Sequence, residues 1–315
     1  MNVLSGQSAA ELFTAAARLV LADGAQVAPR GMTTHEVLGV HLILTQPRRR
    51  LIHLPPVRVL NPAFAVAEAL WILSGSDDAW IFEFNSQLAQ YADNGVLQGA
   101  YGPRLRRWHG IDQLDVVRRR LLEDPDTRRA VIQLFDPTRD HIGHSDVPCT
   151  LGYRFFMRGN RLHMHTSMRS QDLWLGFPYD VFTATLIHEL VAAWVGAEIG
   201  VYRHSVDSLH LYAQHWEPAS LLPAEGYSEQ MPAVAVDWER LDDTLAEVIN
   251  GTMSGVDTGG EWTVFARTLA SYRHWKRGHR EAAVALAANV PGVLGEALRS
   301  WYAHLASGAV AVVPG

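Results

Sequence analysis

The sequence is poor in cysteine and contains no long run of apolar residues. One cysteine, Cys149, stands among 315 residues, so a disulfide within the chain is excluded and a reducing compartment, the cytoplasm, is expected. The N-terminus lacks a basic segment followed by an unbroken apolar stretch, which argues against a signal peptide. No stretch reaches the roughly 18 apolar residues of a membrane span, so no membrane partner is expected.

The chain also lacks a strong excess of basic residues. Its formal net charge is −6 and its isoelectric point about 6.2, which excludes the basic footprint of a protein that wraps long nucleic acid. Basic residues do cluster locally, as in "RLRRW" at 104–108 and "TRR" at 127–129. Such clusters on an acidic chain suit a small anionic ligand, or they are ordinary solvated surface charge.

Common motifs of cofactor and metal enzymes are missing. The chain contains neither GxGxxG nor GxxxxGK[ST]. Its 15 histidines are scattered without HExxH or another metal-binding spacing, so no metal is expected. These absences argue against a dinucleotide-dependent, P-loop or zinc-dependent enzyme.

Helical and strand patterns are mixed without a regular βαβ repeat, which favours an α+β fold around one sheet. The apolar spacing predicts two helices, one strand and one hairpin that turns at Gly159-Asn160. These elements are expected at 61–76 and 180–200, at 130–137, and at 150–170. The second helix is apolar nearly all round, so it should be central and buried.

The composition suits a soluble globular protein, and the length allows either two smaller domains or one large domain, which we expect over residues 1–315. Hydrophobic residues make up 48% of the chain and charged residues 19%, which is enough to bury a sizeable core. The portion from about 217 is expected to be more peripheral, and the chain ends in an apolar tail, "GAVAVVPG".

Two residues are candidates for catalysis. Cys149, in "DVPCTLGYRFF", is either a small buried core residue or a nucleophile, and a thiolate would need positive charge nearby. Glu68 lies inside the apolar helix "AFAVAEALWILSG". It lies either on a solvated helix face or at a pocket wall, as a carboxylate that handles protons.

Arginines flank the predicted strands, at Arg30, Arg128, Arg129 and Arg169, and Ser170 follows the last of them. Guanidinium groups suit phosphate because they donate hydrogen bonds in pairs at a fixed geometry. Together with a cysteine and a glutamate, this set indicates a phosphorylated small molecule as the ligand.

His210 and Tyr212 lie two residues apart in "SLHLYAQHW". In an extended segment their side chains share one face. They would then bind a sugar hydroxyl, or they are ordinary half-buried aromatic residues.

The order of short motifs resembles the thymidylate synthase family of pyrimidine nucleotide C5 transferases. The motifs are "PRG" at 29–31, "AEALWILSG" at 67–75, "NGVLQGAYGPRLRRW" at 94–108, "DPDTRR" at 124–129, "VPC" at 147–149, "RSQDLWLGFPYD" at 169–180 and "HLY" at 210–212. The block at 169–180 is the most specific of them, and residues 217–315 match weakly. The resemblance implies a large mixed sheet with a buried central helix.

The resemblance also implies a reaction and three catalytic residues. Cys149 would add to C6 of the pyrimidine, which makes C5 nucleophilic toward a one-carbon unit from methylenetetrahydrofolate. Glu68 would belong to the proton network, and Tyr101 would help to remove the proton from C5.

Binding residues follow from the same resemblance. The phosphate residues it implies are Arg30, Arg169 and Ser170, with Arg128 and Arg129 reaching across from the second subunit of a homodimer. His210 and Tyr212 would bind the sugar hydroxyl. Asp172 would face the pterin of folate, beside a bend at Gly176.

Asp180 departs from the pattern of the synthases, which have asparagine at the last position of this block. An amide suits uracil, whereas a carboxylate accepts a hydrogen bond from the amino group of cytosine and, if protonated, donates to N3. An ionised carboxylate opposite uracil O4 would set two acceptors against each other, at a cost of roughly 1–3 kcal/mol. We therefore expect a cytidylate, CMP or dCMP, as substrate. A helix cap at Asp180 is the simpler explanation of its presence, and both can hold together.

A second departure concerns the product. Synthases carry a pair of tryptophans just before the "YG" motif, and here the segment is "NSQLAQYADNGVLQGAYG", in which Tyr91 is the only aromatic residue before Tyr101. Loss of that wall would let water capture the exocyclic methylene, which yields a 5-hydroxymethyl group. The expectation is therefore a cytidylate 5-hydroxymethyltransferase. The alternatives are a thymidylate synthase, a cytidylate-methylating enzyme, and a catalytically silent nucleotide-binding protein of this fold.

Overall fold

A computed structural model of the protein describes residues 2–251 and 260–307. The strands are β1 (Asn2–Gly6), β2 (Ala25–Val27), β3 (Thr34–Leu44), β4 (Val131–Gln133), β5 (Thr150–Arg158), β6 (Arg161–Met168), β7 (Gln171–Asp172) and β8 (Glu198–Tyr212). The helices are α1 (Ala9–Asp23), α2 (Pro62–Leu73), α3 (Tyr101–Arg106), α4 (Gln113–Glu123), α5 (Pro137–Asp140), α6 (Phe177–Trp194), α7 (Trp216–Ser220), α8 (Leu241–Asn250), α9 (Glu261–Lys276), α10 (Arg280–Ala288) and α11 (Gly292–Ala306).

Within the described residues the strands form one mixed, eight-stranded sheet in the order β1-β3-β8-β6-β5-β4. Strand β8 lies at its centre, antiparallel to β3 and parallel to β6. The short strands β2 and β7 pair with β3 and β8. An α+β fold with a mixed sheet is therefore confirmed.

The predicted hairpin joins β5 to β6 at Gly159-Asn160. Both residues have positive φ angles, 57° and 59°, which a tight two-residue hairpin turn requires. The strand predicted at 130–137 is shorter, Val131–Gln133, because Asp136 accepts a hydrogen bond from Thr138 N and starts α5. The hairpin brings the segment "VPC", just before β5, next to the segment "RSQD", just after β6.

Helix α6 is the buried centre of the molecule, as its apolar sequence predicted. It packs with α2 and α1 against the inner sheet face, where strand residues such as Met164, Tyr202 and Val206 are buried. Alternate residues point to the other face, among them Arg154, His163, His165 and Arg203, and these are only partly buried.

The boundaries of the helices follow local signals in the sequence. Ser8 accepts a hydrogen bond from Glu11 N at the start of α1, and Asn61 accepts one from Phe64 N at the start of α2. Helix α6 begins at Phe177, three residues earlier than expected, with Gly176 as its N-cap residue. Asp180 therefore does not cap this helix, and lies inside its first turn.

The portion from about 217, which was expected to be peripheral, contributes helices to the core. Helix α9 packs against α2, and its Trp262, Phe265 and Leu269 are buried. Its Tyr272 ring stacks on Phe84 at 5.5 Å. The apolar tail at 308–315 lies outside the described residues. None of the helices in the described ranges is long and apolar enough to cross a membrane.

Candidate active site

Cys149 lies at the turn that leads into β5, beside the end of β6. Arg169 is hydrogen-bonded to this turn at three points: its N–H donates to Cys149 O at 2.9 Å, Nε to Pro148 O at 2.9 Å, and Nη2 to Val147 O at 3.0 Å. Burial raises the pKa of the Cys149 thiol, while the charges of Arg169 and Arg30 lower it. The thiol is therefore protonated in the free protein at neutral pH.

Arg30 approaches the same cleft from the turn that precedes β3. It lies in a short 3-10 turn with a positive φ of 54°, is exposed, and bonds the Tyr212 side chain. Ser170 Oγ is 3.5 Å from His210 Nδ1, too long for a strong hydrogen bond. The rings of His210 and Tyr212 meet edge to face at 5.2 Å. The predicted phosphate and sugar groups thus gather around Cys149.

Glu68 is the only ionisable residue of α2, and it points from the apolar helix toward Asp180. Burial, and then the negative charge of Asp180, raise the pKa of Glu68 to about 8. The carboxyl therefore holds a proton at neutral pH. A neutral acid in a cleft can donate that proton to a substrate atom and take it back.

Tyr101 stands at the first position of α3, and its hydroxyl accepts a hydrogen bond from Thr150 N at 3.1 Å. Burial raises the pKa of Tyr101, with Asp180 and Cys149 adding to the effect. A buried ion pair fixes α3 in place. Arg104 is fully buried and reaches both oxygens of Asp140, at 2.6 and 2.7 Å.

Asp180 faces the same cleft from the first turn of α6. Its Oδ2 accepts a hydrogen bond from Gln171 Nε2 at 2.8 Å. Burial raises the pKa of Asp180 to about 6, against the lowering effect of the Gln171 bond. The carboxylate is therefore mostly ionised at neutral pH, while Glu68 nearby is mostly protonated. Two neighbouring carboxyl groups with separated pKa values provide one acceptor and one acid.

Asp172 and Gly176 lie at the predicted folate side. Oδ1 of Asp172 accepts hydrogen bonds from Trp174 N at 2.8 Å and Leu175 N at 3.0 Å, and burial raises the pKa of Asp172. A Cβ on Gly176 would meet Gln171 Nε2 at 2.8 Å, so a side chain is excluded there. The loop therefore holds the second oxygen of Asp172 at the cleft, where it can accept from a ring N–H donor.

Arg128 and Arg129 are not part of the site within one chain. Strand β4 runs antiparallel to β5, with Val131 opposite Arg154, so both arginines lie toward the end of β5 that is far from Cys149. Both side chains are exposed. The remaining predicted site residues converge on the cleft.

The sequence analysis missed two charged residues beside the cleft. Arg58 Nη2 donates to Trp174 O at 2.8 Å, and its guanidinium lies 5.2 Å from the Trp174 ring, so it supports the loop that holds Asp172. Asp146 Oδ2 accepts from Gly99 N at 2.9 Å and joins the segment before Tyr101 to the cysteine turn. Its position three residues before Cys149 was the available signal.

Similarity to known proteins agrees with the motifs. The family model described as thymidylate synthase matches residues 11–250. A protein of Bacillus phage SP01 named deoxyuridylate hydroxymethyltransferase is 36% identical over 227 residues, which cover 67% of this chain and 59% of the relative. A protein of Pseudomonas phage M6 with the same name is 35% identical over 163 residues, which cover 50% of this chain and 46% of the relative.

A third protein of the same name, from Delftia phage PhiW-14, is 34% identical over 189 residues, covering 55% of this chain and 52% of the relative. The matched segments thus span about half to three-fifths of the length of these relatives. Because the family model covers most of the chain in one continuous match, the protein belongs to the thymidylate synthase family.

Proposed function

We propose that the protein is a pyrimidine nucleotide C5 hydroxymethyltransferase that prefers a cytidylate. The reaction class rests on the family, on the names of the phage relatives, and on the grouping of Cys149, Glu68 and Tyr101 in one cleft. The observation that carries the base preference is the partly buried Asp180 carboxylate, which accepts a hydrogen bond from Gln171 Nε2 at 2.8 Å.

In this proposal Cys149 forms a covalent bond to C6 of the base. The thiol loses its proton as the sulfur–C6 bond forms. The π electrons of the C5–C6 double bond shift toward C4, and the resulting electron-rich C4–C5 bond makes C5 nucleophilic. Arg30, Arg169 and Ser170 would hold the phosphate and thereby fix C6 above the sulfur. His210 and Tyr212 would bond a sugar hydroxyl.

Glu68 and Tyr101 would carry the protons. The Tyr101 hydroxyl, held by Thr150 N at 3.1 Å, lies beside the nucleophile and would help remove the C5 proton after carbon transfer. Glu68, with a pKa of about 8, would stay protonated until it exchanges its proton with the base or with water.

Asp180 would choose the base. Its pKa of about 6 leaves it mostly ionised at neutral pH, so it accepts a hydrogen bond from the amino group of cytosine. Uracil would place O4 against this charge, and an unpaired buried acceptor costs roughly 1–3 kcal/mol. Since the relatives are named for deoxyuridylate, that nucleotide is the competing substrate.

Methylenetetrahydrofolate, when bound, would supply the one-carbon unit at C5. The chemistry of the loop fits this co-substrate, because Asp172 presents a carboxylate oxygen to a ring donor and Arg58 supports the loop from behind. Gly176 keeps the approach free of a side chain. The described residues hold no group of three metal-binding side chains.

The segment before Tyr101 favours release of a hydroxymethyl group. It forms a 3-10 turn, Ser86–Tyr91, in which Leu88 packs on the core and Tyr91 is 41% exposed. With this turn in place of the tryptophan pair of the synthases, the cleft would be closed less completely to water. Water would then add to the exocyclic carbon before hydride transfer.

A homodimer completes the proposal. The outer sheet face carries the partly buried side chains Arg154, His163, His165 and Arg203, and a second copy would cover it. Arg128 and Arg129 are exposed and remote from their own cysteine. In a dimer they would reach the phosphate of the partner's site.

Incubation with methylenetetrahydrofolate and each of CMP, dCMP, UMP and dUMP, with products identified by mass, tests the proposal. We expect both the hydroxymethyl product and the loss of tritium from C5 with a cytidylate, and neither with Cys149→Ser. Asp180→Asn should shift the preference toward uridylates. A wild type that prefers dUMP would contradict the base choice, and stoichiometric dihydrofolate would indicate methylation. A folded protein without tritium release would be a silent binder.

A further inference from the structure

A chain of hydrogen bonds runs from Asp180 into the core. Gln171 Nε2 donates to Asp180 Oδ2 at 2.8 Å, and Gln171 Oε1 lies 2.9 Å from His204 Nε2. On the other side of the ring, His204 Nδ1 lies 2.8 Å from the Tyr202 hydroxyl, which is 2.9 Å from Thr166 Oγ1. Beyond Asp180 each member is at most 2% exposed, so water cannot replace any of these bonds.

The pairing of the strands places the side chains of this chain next to each other. Tyr202 and His204 are alternate residues of β8 and point to the same inner face, and Thr166 of β6 lies opposite His204. The edge of the Phe177 ring closes the space beside the imidazole at 5.5 Å. Gly176 leaves room for the Gln171 amide, which a Cβ would meet at 2.8 Å.

In such a chain, the donor at one hydrogen bond determines the donor at the next. Burial lowers the pKa of His204 to about 3, so the ring is neutral and carries a single N–H. If that hydrogen is on Nε2, it donates to Gln171 Oε1, and the amide NH2 must face Asp180. The hydroxyl hydrogens of Tyr202 and Thr166 rotate to match. The carboxylate then receives a donor and is stabilised in its ionised form.

The reverse order also pairs every link of the chain, once the Gln171 amide turns over. A protonated Asp180 donates to Gln171 Oε1, the amide NH2 donates to His204 Nε2, and Nδ1–H donates to Tyr202. This order gives up the bond from Gln171 Nε2 to Asp172 O at 3.3 Å, so the chain favours the ionised form of Asp180. A mixed order leaves two acceptors or two donors facing each other in the core. The charge of Asp180 is thus tied to the tautomer of a histidine two hydrogen bonds away.

We propose that Gln171 and His204 are positioning residues that set whether Asp180 faces the base as a charged or as a neutral carboxyl group, and thereby set the choice between cytosine and uracil. The inference rests on the proposed function, in which Asp180 contacts the edge of the base. The ionised order selects the amino group of cytosine. When Asp180 is protonated its O–H is directed to Gln171, so the negative charge opposite uracil O4 is lost and discrimination falls.

Other ionisable groups surround Asp180, and the test must separate them from the chain. The groups that interact electrostatically with Asp180 are Glu68, Tyr101, Cys149, Tyr153, Asp172 and Tyr202. Variants of Gln171 and His204 leave the other groups in place, apart from the Tyr202 contact. A change in pH dependence therefore reports on the chain.

The experiment is equilibrium binding of CMP and UMP to the whole protein, by calorimetry from pH 5 to 8.5. Gln171→Met keeps the length of the side chain but removes the donor. We expect it to lower the preference for CMP at pH 7 about tenfold, as loss of a bond to a charged group would. The pH at which discrimination is half lost should move upward from the wild-type value.

Two variants of His204 keep the test decisive if Gln171→Met does not fold. His204→Leu removes the donor to Gln171 Oε1 and should act like Gln171→Met. His204→Gln places an amide NH2 near the position of Nε2 and should restore the preference. Thr185→Val is the matched control, because it removes a buried hydroxyl from the helix of Asp180 without touching the chain.

The outcomes separate the two claims. If the wild type binds UMP as tightly as CMP, the proposed base choice fails, whatever the variants do. If the wild type prefers CMP and the folded Gln171 and His204 variants keep both its preference and its pH profile, the positioning role is refuted while the base choice stands.

Discussion

The Tyr101 hydroxyl accepts a hydrogen bond from Thr150 N at 3.1 Å, so the tyrosine is held against the residue that follows Cys149. This bond fixes the distance between the start of α3 and the start of β5, which are far apart in sequence. Removing the hydroxyl should leave the backbone of β5 in place, because the strand is also held by its neighbours β4 and β6.

Tyr101→Phe should therefore slow proton transfer without weakening nucleotide binding. Loss of a positioned proton acceptor reduces rates by roughly 10²–10⁴-fold. Tritium release from C5 would report the rate, and calorimetry would report nucleotide affinity. Tyr227→Phe, at a tyrosine that is 60% exposed, is the control and should match wild type. An equal loss of affinity and rate would point to a binding role instead.

Glu68 predicts a pH dependence of both activity and stability. Its pKa is raised from the usual value of 4.5 to about 8, so the folded state binds a proton that the unfolded state has released. The contribution of this group to stability is therefore largest below pH 4.5 and declines as the pH rises toward 8. Activity that needs the acid form should fall above pH 8.

Glu68→Gln isolates these effects. The variant should lose activity, and its free energy of unfolding should decline less than that of wild type between pH 5 and 8. Urea unfolding at a series of pH values measures this difference. Parallel curves for the two proteins would mean that the pKa of Glu68 is not raised.

The Arg104–Asp140 pair should be costly to break, since both side chains are buried. Arg104→Met leaves the Asp140 charge without its partner, which destabilises by about 3–5 kcal/mol. Arg107→Met removes a pair to Asp77 that is about half exposed and should cost about 1 kcal/mol or less. Chemical denaturation of the two variants gives the comparison, and equal costs would refute the structural role of Arg104.

A substitution at Leu88 should change the product from hydroxymethyl to methyl. Leu88→Trp would add a large ring to the turn before Tyr101, where Leu88 already packs on the core. Better exclusion of water should shift part of the product from hydroxymethyl to methyl, with dihydrofolate formed in equal amount. Product masses and dihydrofolate absorbance would be followed together. A tryptophan variant that is active yet makes no methyl product would refute the role of this wall.

The dimer proposal predicts complementation between subunits. A double variant, Arg128→Ala with Arg129→Ala, should be inactive, and so should Cys149→Ser. Mixed dimers would contain one complete site, so a statistical mixture should regain about a quarter of wild-type activity. Mixing Arg169→Ala with Cys149→Ser should restore nothing, because both residues serve the same chain's site. Failure of the first mixture despite subunit exchange would contradict sharing of the arginines.

Short-range patterns accounted for much of the fold. The Gly159-Asn160 turn and the apolar run of α6 each depend on neighbours in sequence. The start of α6 was misjudged because Asp180 is a good capping residue, whereas the chain already turns at Gly176.

The candidate site residues were predicted from motifs, and contacts that form only in the folded chain were missed. Gln171 lies inside the most specific motif, yet nothing in its neighbours indicates that it bonds Asp180 on one side and His204 on the other. That arrangement arises only when β7 pairs with β8 and α6 folds back over both. Arg58 escaped notice for the same reason, since its partner Trp174 is 116 residues away.

The hydrogen bonds from the Arg169 guanidinium to Val147 O and Pro148 O have a consequence for substrates that lack a phosphate. The guanidinium that would receive the phosphate already holds the turn that carries the sulfur, so filling the anion position and aligning the thiol share one side chain. A free nucleoside should therefore turn over more slowly even at saturation, because binding energy far from C5 helps to place the reacting atoms.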